Sequence, residues 1–346
     1  MSKKMMLLSG RTNEPLAKKI ATELSISLVK RMIETFKNGE INVEIEETVA
    51  GAEVFILQSS ITGKVNDNFV ESLVLIDAAK RARASKVYLV IPLYPYSRKD
   101  RREANKKGRP KRTSIAAKIV ANCYTQAVGV HGIITVKIHA EQIEGYFDND
   151  YVFENIDPAK LFINYLKEIG VIKEEYPEKS PTIVAPDVGA AKSADDFSKA
   201  LHLETYVIAD KRRAKPGEAE LVHIIGDYSG RDCIIYDDMI DTGGTVINAL
   251  KKLKEAKENG AQRVYLMTTH GVFSNNAIEK LATSDFEKIV ITDSIPNPEV
   301  EKYPEKFVVL SLANLLSKVI LNVFNGDSLD SVVKYEKDLV VEENHK

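Results

Sequence analysis

The residues with the clearest chemical potential lie between Cys233 and Thr245, in the order Cys-Ile-Ile-Tyr-Asp-Asp-Met-Ile-Asp-Thr-Gly-Gly-Thr. An apolar run turns acidic at Asp237 and Asp238 and ends in a loop of small residues. Apolar residues then recur at helical spacing from Val246, which predicts a strand, a loop and a helix. Parallel α/β folds bind ligands at such strand ends, so the stretch predicts a ligand-binding loop.

The loop suits a phosphate group. Gly243 and Gly244 allow close approach of the backbone, and a helix start offers N–H groups to an anion. Thr242 and Thr245 add hydroxyl donors. The two adjacent aspartates would repel phosphate, so they suit sugar hydroxyls or a bridging divalent cation. We interpret the stretch as a sugar-phosphate site, with an ordinary acidic strand end and glycine turn as the alternative.

Composition describes a globular protein with room for two domains. The chain has 346 residues, of which 44% are hydrophobic and 28% charged. A net charge of −2 gives no global attraction to nucleic acid or membranes. Cys123 and Cys233 are far apart in apolar contexts, which predicts buried reduced thiols. Since no stretch approaches a membrane span or a signal sequence in length, we expect a cytoplasmic location.

Strand and helix patterns alternate along the chain, which predicts largely parallel sheets joined by right-handed crossovers. Strands are predicted at 5–9, 43–45, 54–58, 87–91, 132–138, 183–185, 205–209, 233–236, 264–268 and 288–292. Helices are predicted at 14–24, 67–84, 114–122 and 159–168, and at 246–256 after the small-residue loop. The polar residues after Gly326 show no clear element.

A faint internal repeat aligns Val54 with Cys233 and Val87 with Val264. In this register Gln58 stands where the second copy has Asp237. The repeat predicts two similar domains, of which only the second retains the sugar-phosphate loop. A chance similarity is the alternative.

A basic run from Arg98 to Arg112 contains nine Lys or Arg residues in fifteen positions. It directly follows a predicted strand and the aromatic residues Tyr94 and Tyr96, a combination that suits adenine and its phosphates. A solvated loop and a nucleic-acid contact are the alternatives. We favour nucleotide binding.

Four further candidate residues follow predicted strands. Lys211 and Arg213 lie on a stretch that can close over a transferring phosphate, although a charged turn is the simpler interpretation. Asp187 is placed as a ligand for a metal or on the phosphate side. His139 can bind a divalent ion, although a lone histidine is more often structural.

Taken together, these stretches resemble the ribose-phosphate diphosphokinase (PRPP synthetase) family over nearly the whole chain. The resemblance is carried by Ser9–Gly10, Phe36–Glu40, Asn66–Asn68, Tyr96–Asp100, Ile138–Asp148, Ala185–Gly189, Lys211–Arg213, Cys233–Thr245 and Thr269–Ser274. Phosphoribosyltransferases share only the sugar-phosphate loop and the fold of one domain.

The resemblance implies an α/β protein with two tandem phosphoribosyltransferase-type domains, each with a largely parallel sheet flanked by helices. An N-terminal domain with the ATP and subunit contacts is expected at 1–155, and a C-terminal domain with the ribose 5-phosphate loop at 156–325. Residues 326–346 are expected to form a polar tail.

The implied activity is transfer of the β,γ-diphosphoryl group of ATP to the C1 hydroxyl of ribose 5-phosphate, giving PRPP and AMP for nucleotide biosynthesis. The implied enzyme is a Mg²⁺-dependent transferase and a homo-oligomer, hexameric or dimer-based, with no nucleic-acid or membrane partner. One alternative is a non-catalytic regulatory subunit of a PRPP synthetase. A phosphoribosyltransferase that consumes PRPP ranks last.

The resemblance also implies residue roles. ATP would be held by Phe36, Asn38 and Glu40 from a neighbouring subunit, and by Arg98, Lys99 and Asp100. The 5-phosphate would be held by Asp241, Thr242, Gly243, Gly244 and Thr245, with Asp237 and Asp238 near the ribose hydroxyls. Lys211 and Arg213 would stabilise the diphosphoryl transition state, and His139 and Asp187 would hold Mg²⁺.

The sequence departs from the family pattern at several positions. Lys137 stands two residues before His139, where the family usually has a metal-binding aspartate. Its cation either removes one metal ligand or partly replaces a second ion. Glu141 and Glu144 lie where the family's regulatory site has neutral polar residues, which leaves control by phosphate and ADP open. Residues 103–111 resemble a partly inserted basic loop.

Overall fold

The computed structural model describes residues 3–105, 108–176, 179–203, 206–212, 221–255 and 260–333. These residues form two compact units. Unit 1 contains the chain up to Asp157 together with Ser294–Pro296 and Ser311–Val333. Unit 2 contains Pro158–Asp293 and Asn297–Leu310.

Unit 1 is built on a parallel five-stranded sheet. Its elements up to Asp157 are β1 (Met5–Ser9), α1 (Glu14–Glu23), β2 (Arg31–Thr35), β3 (Ile41–Ile45), β4 (Glu53–Leu57), α2 (Val65–Arg81), β5 (Lys86–Val90), α3 (Ala116–Asn122), β6 (Gly132–Val136) and β7 (Val152–Ile156). The sheet order is β1-β4-β5-β6-β7, whereas β2 and β3 form a separate antiparallel hairpin. All five residues of β4 and of β6 are buried, as expected for parallel strands covered on both faces.

Unit 2 has a larger sheet. Its elements are α4 (Ala159–Glu168), β8 (Thr182–Ala185), α5 (Ala191–Ala200), β9 (Tyr206–Arg212), β10 (Leu221–Ile225), β11 (Cys233–Ile240), α6 (Gly244–Glu255), β12 (Val264–Gly271), α7 (Ala277–Ala282), β13 (Ile289–Thr292) and β14 (Phe307–Leu310). The seven strands lie in the order β10-β9-β8-β11-β12-β13-β14, and only β10 runs antiparallel to its neighbour. The last two helices, α8 (Ala313–Asn325) and α9 (Asp330–Val333), belong to unit 1.

Alternate residues of β11 face opposite cores. Cys233 and Ile235 lie in a core that also contains the apolar residues of α6 and α7. Ile234 and Tyr236 lie in a second core with the apolar residues of α4 and α5. Because side chains of a strand alternate between faces, helices cover both sides of this sheet. This confirms the expected α/β class with largely parallel sheets flanked by helices.

The internal repeat is visible in the strand register. Val54 of β4 is paired with Val87 of β5, and Cys233 of β11 is paired with Val264 of β12. The two residue pairs that the sequence aligns are therefore both cross-strand partners. This agreement favours a structural repeat over a chance similarity.

The structure also corrects some boundaries. β11 and β12 extend to Ile240 and Gly271, beyond the predicted ends at 236 and 268. Their polar residues still pair, with Asp237 opposite Thr268 and Met239 opposite His270, which hydropathy alone does not indicate. A short helix, α9, occurs in the tail where no element was predicted. Cys233 is buried, and burial raises the pKa of its thiol to about 12, whereas Cys123 is only half-buried.

Gly132 of β6 lies very close to Val152 of the neighbouring strand β7. A Cβ atom there would lie 2.7 Å from Val152 Cβ and 2.9 Å from the Val152 carbonyl oxygen. We expect Gly132→Ala to lower the free energy of unfolding by about 1–3 kcal/mol, because the neighbouring backbone must move. Thermal unfolding measures the change. Gly145→Ala is the control, because a Cβ at Gly145 meets nothing within 4 Å; equal destabilisation by both substitutions would contradict the packing argument.

Candidate functional site

Three carboxylates gather where β8 and β11 approach their carboxyl ends. The two strands are adjacent and parallel, with Ile235 opposite Val184. Asp187 follows the end of β8 by two residues, and Asp237 and Asp238 follow Ile235 within β11. Parallel strands end at the same edge of a sheet, so the register places these side chains at one edge.

The electrostatics of this edge are unfavourable in the absence of a ligand. Desolvation by the surrounding protein raises the pKa of Asp237 well above its usual value, and the neighbouring carboxylates of Asp238 and then Asp187 raise it further. The backbone N–H of Asp238, which donates to Asp237 Oδ1 at 2.9 Å, opposes this only partly. Asp187 Oδ1 accepts from the backbone N–H of Ala190 at 3.2 Å. An edge of this kind gains from a partner that brings hydroxyl donors or positive charge.

The small-residue loop follows directly. Gly243 has φ of +74°, a left-handed conformation that a glycine adopts without strain. Its carbonyl accepts the N–H of Ile247 at 3.0 Å in the first turn of α6. Thr242 and Gly244 are exposed and Thr245 is half-buried. The first N–H groups of a helix have no intrahelical acceptor, so the start of α6 combines N–H groups and hydroxyls beside the acidic edge.

The connection after β12 is hydrogen-bonded to the start of this loop. The backbone N–H of Phe273 donates to the Ile240 carbonyl, and that of Ser274 donates to the Asp241 carbonyl, each at 3.0 Å. A Cβ on Gly271 would lie 2.6 Å from the Phe273 ring, and Asn297 Nδ2 donates to the Gly271 carbonyl at 2.8 Å. Sequence reasoning matched the motif at 269–274 but assigned it no role. The available signal was Gly271, two residues before Phe273, because a glycine at this spacing leaves room for the aromatic ring.

The candidate catalytic residues are described only in part. Lys211 belongs to β9, and its backbone is paired with Val222 of β10. Arg213 lies outside the described residues. Their predicted role at the transition state therefore stays a prediction.

In unit 1, Phe36, Asn38 and Glu40 form the turn of the hairpin β2–β3. The N–H of Phe36 donates to the Glu40 carbonyl, and that of Gly39 to the Phe36 carbonyl, both at 2.8 Å. Asn38 Oδ1 accepts from the Glu40 N–H at 3.2 Å. The Phe36 side chain is 49% exposed. Phe36, Asn38 and Glu40 therefore lie together in one exposed, hydrogen-bonded turn.

Arg98, Lys99 and Asp100 lie in and after a single 3₁₀ turn at Ser97–Lys99. Arg98 and Lys99 are exposed, whereas Asp100 is buried. The Asp100 side chain accepts a hydrogen bond from Gln142, and its carbonyl accepts one from the Tyr146 hydroxyl. Asp100 thus ties the basic turn to the 3₁₀ helix at Glu141–Tyr146, while the two cations face solvent.

The basic run is organised around one acid. Glu103 accepts from Lys99 and from Lys111, each at 2.7 Å. The two ammonium groups, that of Lys111 first, lower the pKa of Glu103 to about 2. An isolated antiparallel bridge joins Ala104 to Pro110. Glu103 therefore joins the beginning and the end of the basic run through two ion pairs.

His139 is exposed and lies in the connection that follows β6, three residues beyond the end of the strand, rather than at the strand end as expected. Lys137 has a positive φ of 43°. Its side chain is 16% exposed, and its Nζ lies 2.6 Å from Asp157 Oδ2. The backbone N–H of Ile138 donates to Asn155 Oδ1 at 2.9 Å. The cation in the place of the family's aspartate is thus bound by a carboxylate of the same unit.

Within the described part of the chain, no group of three or more His, Cys, Asp or Glu side chains could hold a metal ion by itself. A divalent cation bound by fewer protein groups completes its coordination with water or substrate oxygens. Mg²⁺ often binds in this way, through one or two carboxylates together with phosphate oxygens.

Comparisons with known proteins agree with this architecture. A family model for the N-terminal domain of ribose phosphate pyrophosphokinase matches residues 5–128, and one for the phosphoribosyl synthetase-associated domain matches residues 212–334. A crystal structure of phosphoribosylpyrophosphate synthetase from Mycobacterium smegmatis superposes with a TM-score of 0.82 at 32% identity, and the match covers 94% of this chain and 100% of the other. The fold is therefore that of phosphoribosylpyrophosphate synthetases.

Sequence relatives agree. The ribose-phosphate pyrophosphokinase of Pasteurella multocida is 39% identical over 328 residues, which is 94% of this chain and 98% of that protein. The enzyme of the same name from Fusobacterium nucleatum is 40% identical over 326 residues, covering 94% of this chain and 97% of that protein. The chain belongs to the ribose-phosphate pyrophosphokinase family, which confirms the resemblance found in the sequence. Among the described residues, no helix has both the length and the apolar character needed to span a bilayer.

The strained acidic edge gives a stability prediction. We expect Asp237→Asn to raise the midpoint of thermal unfolding, because it removes a carboxylate whose charge the folded state disfavours. A raised folded-state pKa means that folding binds a proton, so wild-type stability falls as pH rises from about 4. The gain from Asp237→Asn should therefore be larger at pH 8 than at pH 5. The exposed Asp285→Asn is the control, and a midpoint unchanged or lowered by Asp237→Asn at both pH values would refute this view of the edge.

Proposed function

We propose that this chain is an active ribose-phosphate diphosphokinase that transfers the diphosphoryl group of ATP to ribose 5-phosphate, giving PRPP and AMP. Family membership supports the reaction type. The observation that carries the proposal is the continuous arrangement of the acidic edge, the loop with Gly243 at positive φ and the start of α6 in unit 2. It combines polar groups for a sugar with N–H groups for a phosphate.

Ribose 5-phosphate would bind along this arrangement. The 5-phosphate would lie against the loop residues, namely Asp241, Thr242, Gly243, Gly244 and Thr245. Asp237 and Asp238 would accept hydrogen bonds from the ribose hydroxyls, which supply the donors that the crowded carboxylates favour. Binding would thus relieve a cost already present in the folded protein.

ATP would be bound by residues of unit 1. The exposed turn with Phe36, Asn38 and Glu40 offers a ring for stacking and polar groups for a base edge. Arg98 and Lys99 are exposed cations suited to phosphates, and Asp100 would hold their turn through its bond with Gln142. The family resemblance places the Phe36 turn against the nucleotide of a neighbouring subunit, so we propose a homo-oligomer.

The chemistry requires alignment and charge neutralisation. The C1 hydroxyl oxygen of ribose 5-phosphate forms a bond to the β-phosphorus, the bond from the α,β-bridging oxygen to that phosphorus breaks, and AMP leaves with the bridging oxygen. The hydroxyl proton is released. Lys211 and Arg213 would stabilise the negative charge that develops on the transferring group.

Mg²⁺ is proposed as the cofactor. The family resemblance implies His139 and Asp187 as protein ligands for Mg²⁺, and phosphate oxygens would be suitable further ligands. The bound ion would neutralise phosphate charge. Asp187 is suited to this role because Gly189 leaves its carboxylate room, at 3.1 Å from the position that a Cβ would take.

A second candidate is a non-catalytic regulatory subunit of another PRPP synthetase. Lys137 favours it, because the Lys137–Asp157 ion pair occupies the position at which the family usually has a metal-binding acid. The intact acidic edge and loop of unit 2 favour the active enzyme. For either candidate, we propose a cytoplasmic location.

A direct assay distinguishes the two candidates. Purified protein with ATP, ribose 5-phosphate and Mg²⁺ should form AMP and PRPP in equal amounts, followed together by chromatography. Omission of ribose 5-phosphate is the control for plain ATP hydrolysis. If a folded protein binds ribose 5-phosphate but forms no AMP, the active-enzyme proposal is wrong and the regulatory candidate is supported.

Two variants separate binding from catalysis. We expect Lys211→Ala to lower kcat by about two orders of magnitude or more while ribose 5-phosphate affinity stays within about twofold, because its interaction forms mainly in the transition state. Asp241→Ala should instead weaken ribose 5-phosphate binding, measured by calorimetry. Equal losses of affinity and turnover in Lys211→Ala, or unchanged affinity in Asp241→Ala, would contradict these roles.

A further inference from the structure

A buried carboxylate in unit 1 accepts hydrogen bonds from two other segments of the chain. Glu71 of α2 is 2% exposed. Its Oε1 accepts from the backbone N–H of Arg11 at 2.8 Å and from Gln58 Nε2 at 3.1 Å. Its Oε2 accepts from Arg11 Nε and Nη2, both at 2.8 Å. A buried charge is tolerated when it is paired and hydrogen-bonded in this way, so the Arg11 side chain is held in one orientation.

The same guanidinium group reaches the hairpin. Arg11 Nη1 donates to Thr35 Oγ1 at 3.0 Å. Thr35 is the last residue of β2 and directly precedes Phe36. At the other end of β2, Arg31 Nε donates to the Ser9 carbonyl at 2.9 Å. Two arginines thus connect both ends of β2 to the segment Ser9–Arg11.

The hairpin needs such connections. β2 and β3 pair only with each other, and an isolated two-stranded hairpin is marginally stable. Ile33, Val43 and Ile45 pack against the core of unit 1 and hold its middle. Towards the exposed turn, the Arg11–Thr35 bond is a polar connection to the body of the unit next to Phe36.

Gln58 contributes to the hydrogen bonds around Glu71 in unit 1. In the repeat register, Gln58 stands where unit 2 has Asp237. A carboxylate at this position would face Glu71, whereas the amide donates to it. Gly10 accommodates the amide, since a Cβ on Gly10 would lie 2.3 Å from Gln58 Oε1. The strand position that would bind the sugar in unit 2, Asp237, is thus occupied in unit 1 by Gln58, which supports the Arg11–Glu71 ion pair.

We propose that Arg11, fixed by Glu71 and Gln58, is a positioning residue that orients the Phe36–Glu40 turn for recognition of the nucleotide base. The proposal rests on the proposed function. It predicts that loss of the Arg11–Thr35 bond weakens ATP binding and base discrimination and leaves ribose 5-phosphate binding unchanged.

Thr35→Val tests this role, because it removes the acceptor at an exposed position and keeps both the shape of the side chain and the Arg11 cation. We expect KM for ATP to rise about three- to tenfold, the range for loss of one ordinary hydrogen bond, because the contact lies at an exposed position. The ratio of kcat/KM for ATP to that for GTP should fall, and amide hydrogen exchange at residues 36–40 should be faster. KM for ribose 5-phosphate should be unchanged.

Thr22→Val is the matched control, since Thr22 Oγ1 donates to the Lys18 carbonyl on the exposed face of α1, away from the hairpin. Arg11→Lys keeps a cation but cannot reproduce the forked contacts, so it should behave like Thr35→Val. An effect of Arg11→Lys without one of Thr35→Val would mean direct contact with ATP, and would overturn the positioning role. Equal changes in both KM values would also overturn it. Absence of AMP and PRPP with the unaltered protein would instead refute the proposed function, and the inference with it.

Discussion

The crowding of Asp237, Asp238 and Asp187 at one sheet edge is the constraint on which the rest of unit 2 depends. Carboxylates desolvated beside one another repel, and the raised pKa of Asp237 expresses that cost. The edge persists because β11 is paired on both sides and lies between two cores. The packing of the sheet thus offsets the unfavourable free energy of these crowded carboxylates at the proposed ligand site.

The same strand position has opposite electrostatics in the two units. In unit 2, desolvation and the neighbouring carboxylates raise the pKa of Asp237. In unit 1, Gln58 is fully buried and its amide completes the hydrogen bonding of Glu71. The first arrangement would gain from a ligand that brings hydrogen-bond donors, whereas in the second the carboxylate is hydrogen-bonded by Arg11 and Gln58. One repeated architecture therefore carries the proposed sugar-phosphate site in one unit and an internal ion pair in the other.

Several lysines of unit 1 are neutralised by nearby carboxylates. Lys137 is paired with Asp157, and Lys99 and Lys111 are paired with Glu103. The two ion pairs of Glu103 reduce the field that a run of nine cations would otherwise create. Arg98, on the exposed 3₁₀ turn, keeps its place beside these pairs. The basic segment is consequently better suited to a small anion at a defined place than to a long polyanion.

The sequence by itself determined the fold class, most strands, the family and the loop at 241–245, because these depend on local periodicity and on residue types at fixed spacing. It indicated neither that β11 continues through its aspartates nor that Lys137 is neutralised by Asp157. It also missed the connection of Arg11 to both Glu71 and Thr35. These features join residues 20 to 60 positions apart, so only tertiary structure decides them. Strand pairing, burial and ion pairing depend on how whole helices and strands pack together. A single sequence does not give the distances between residues that are far apart along the chain.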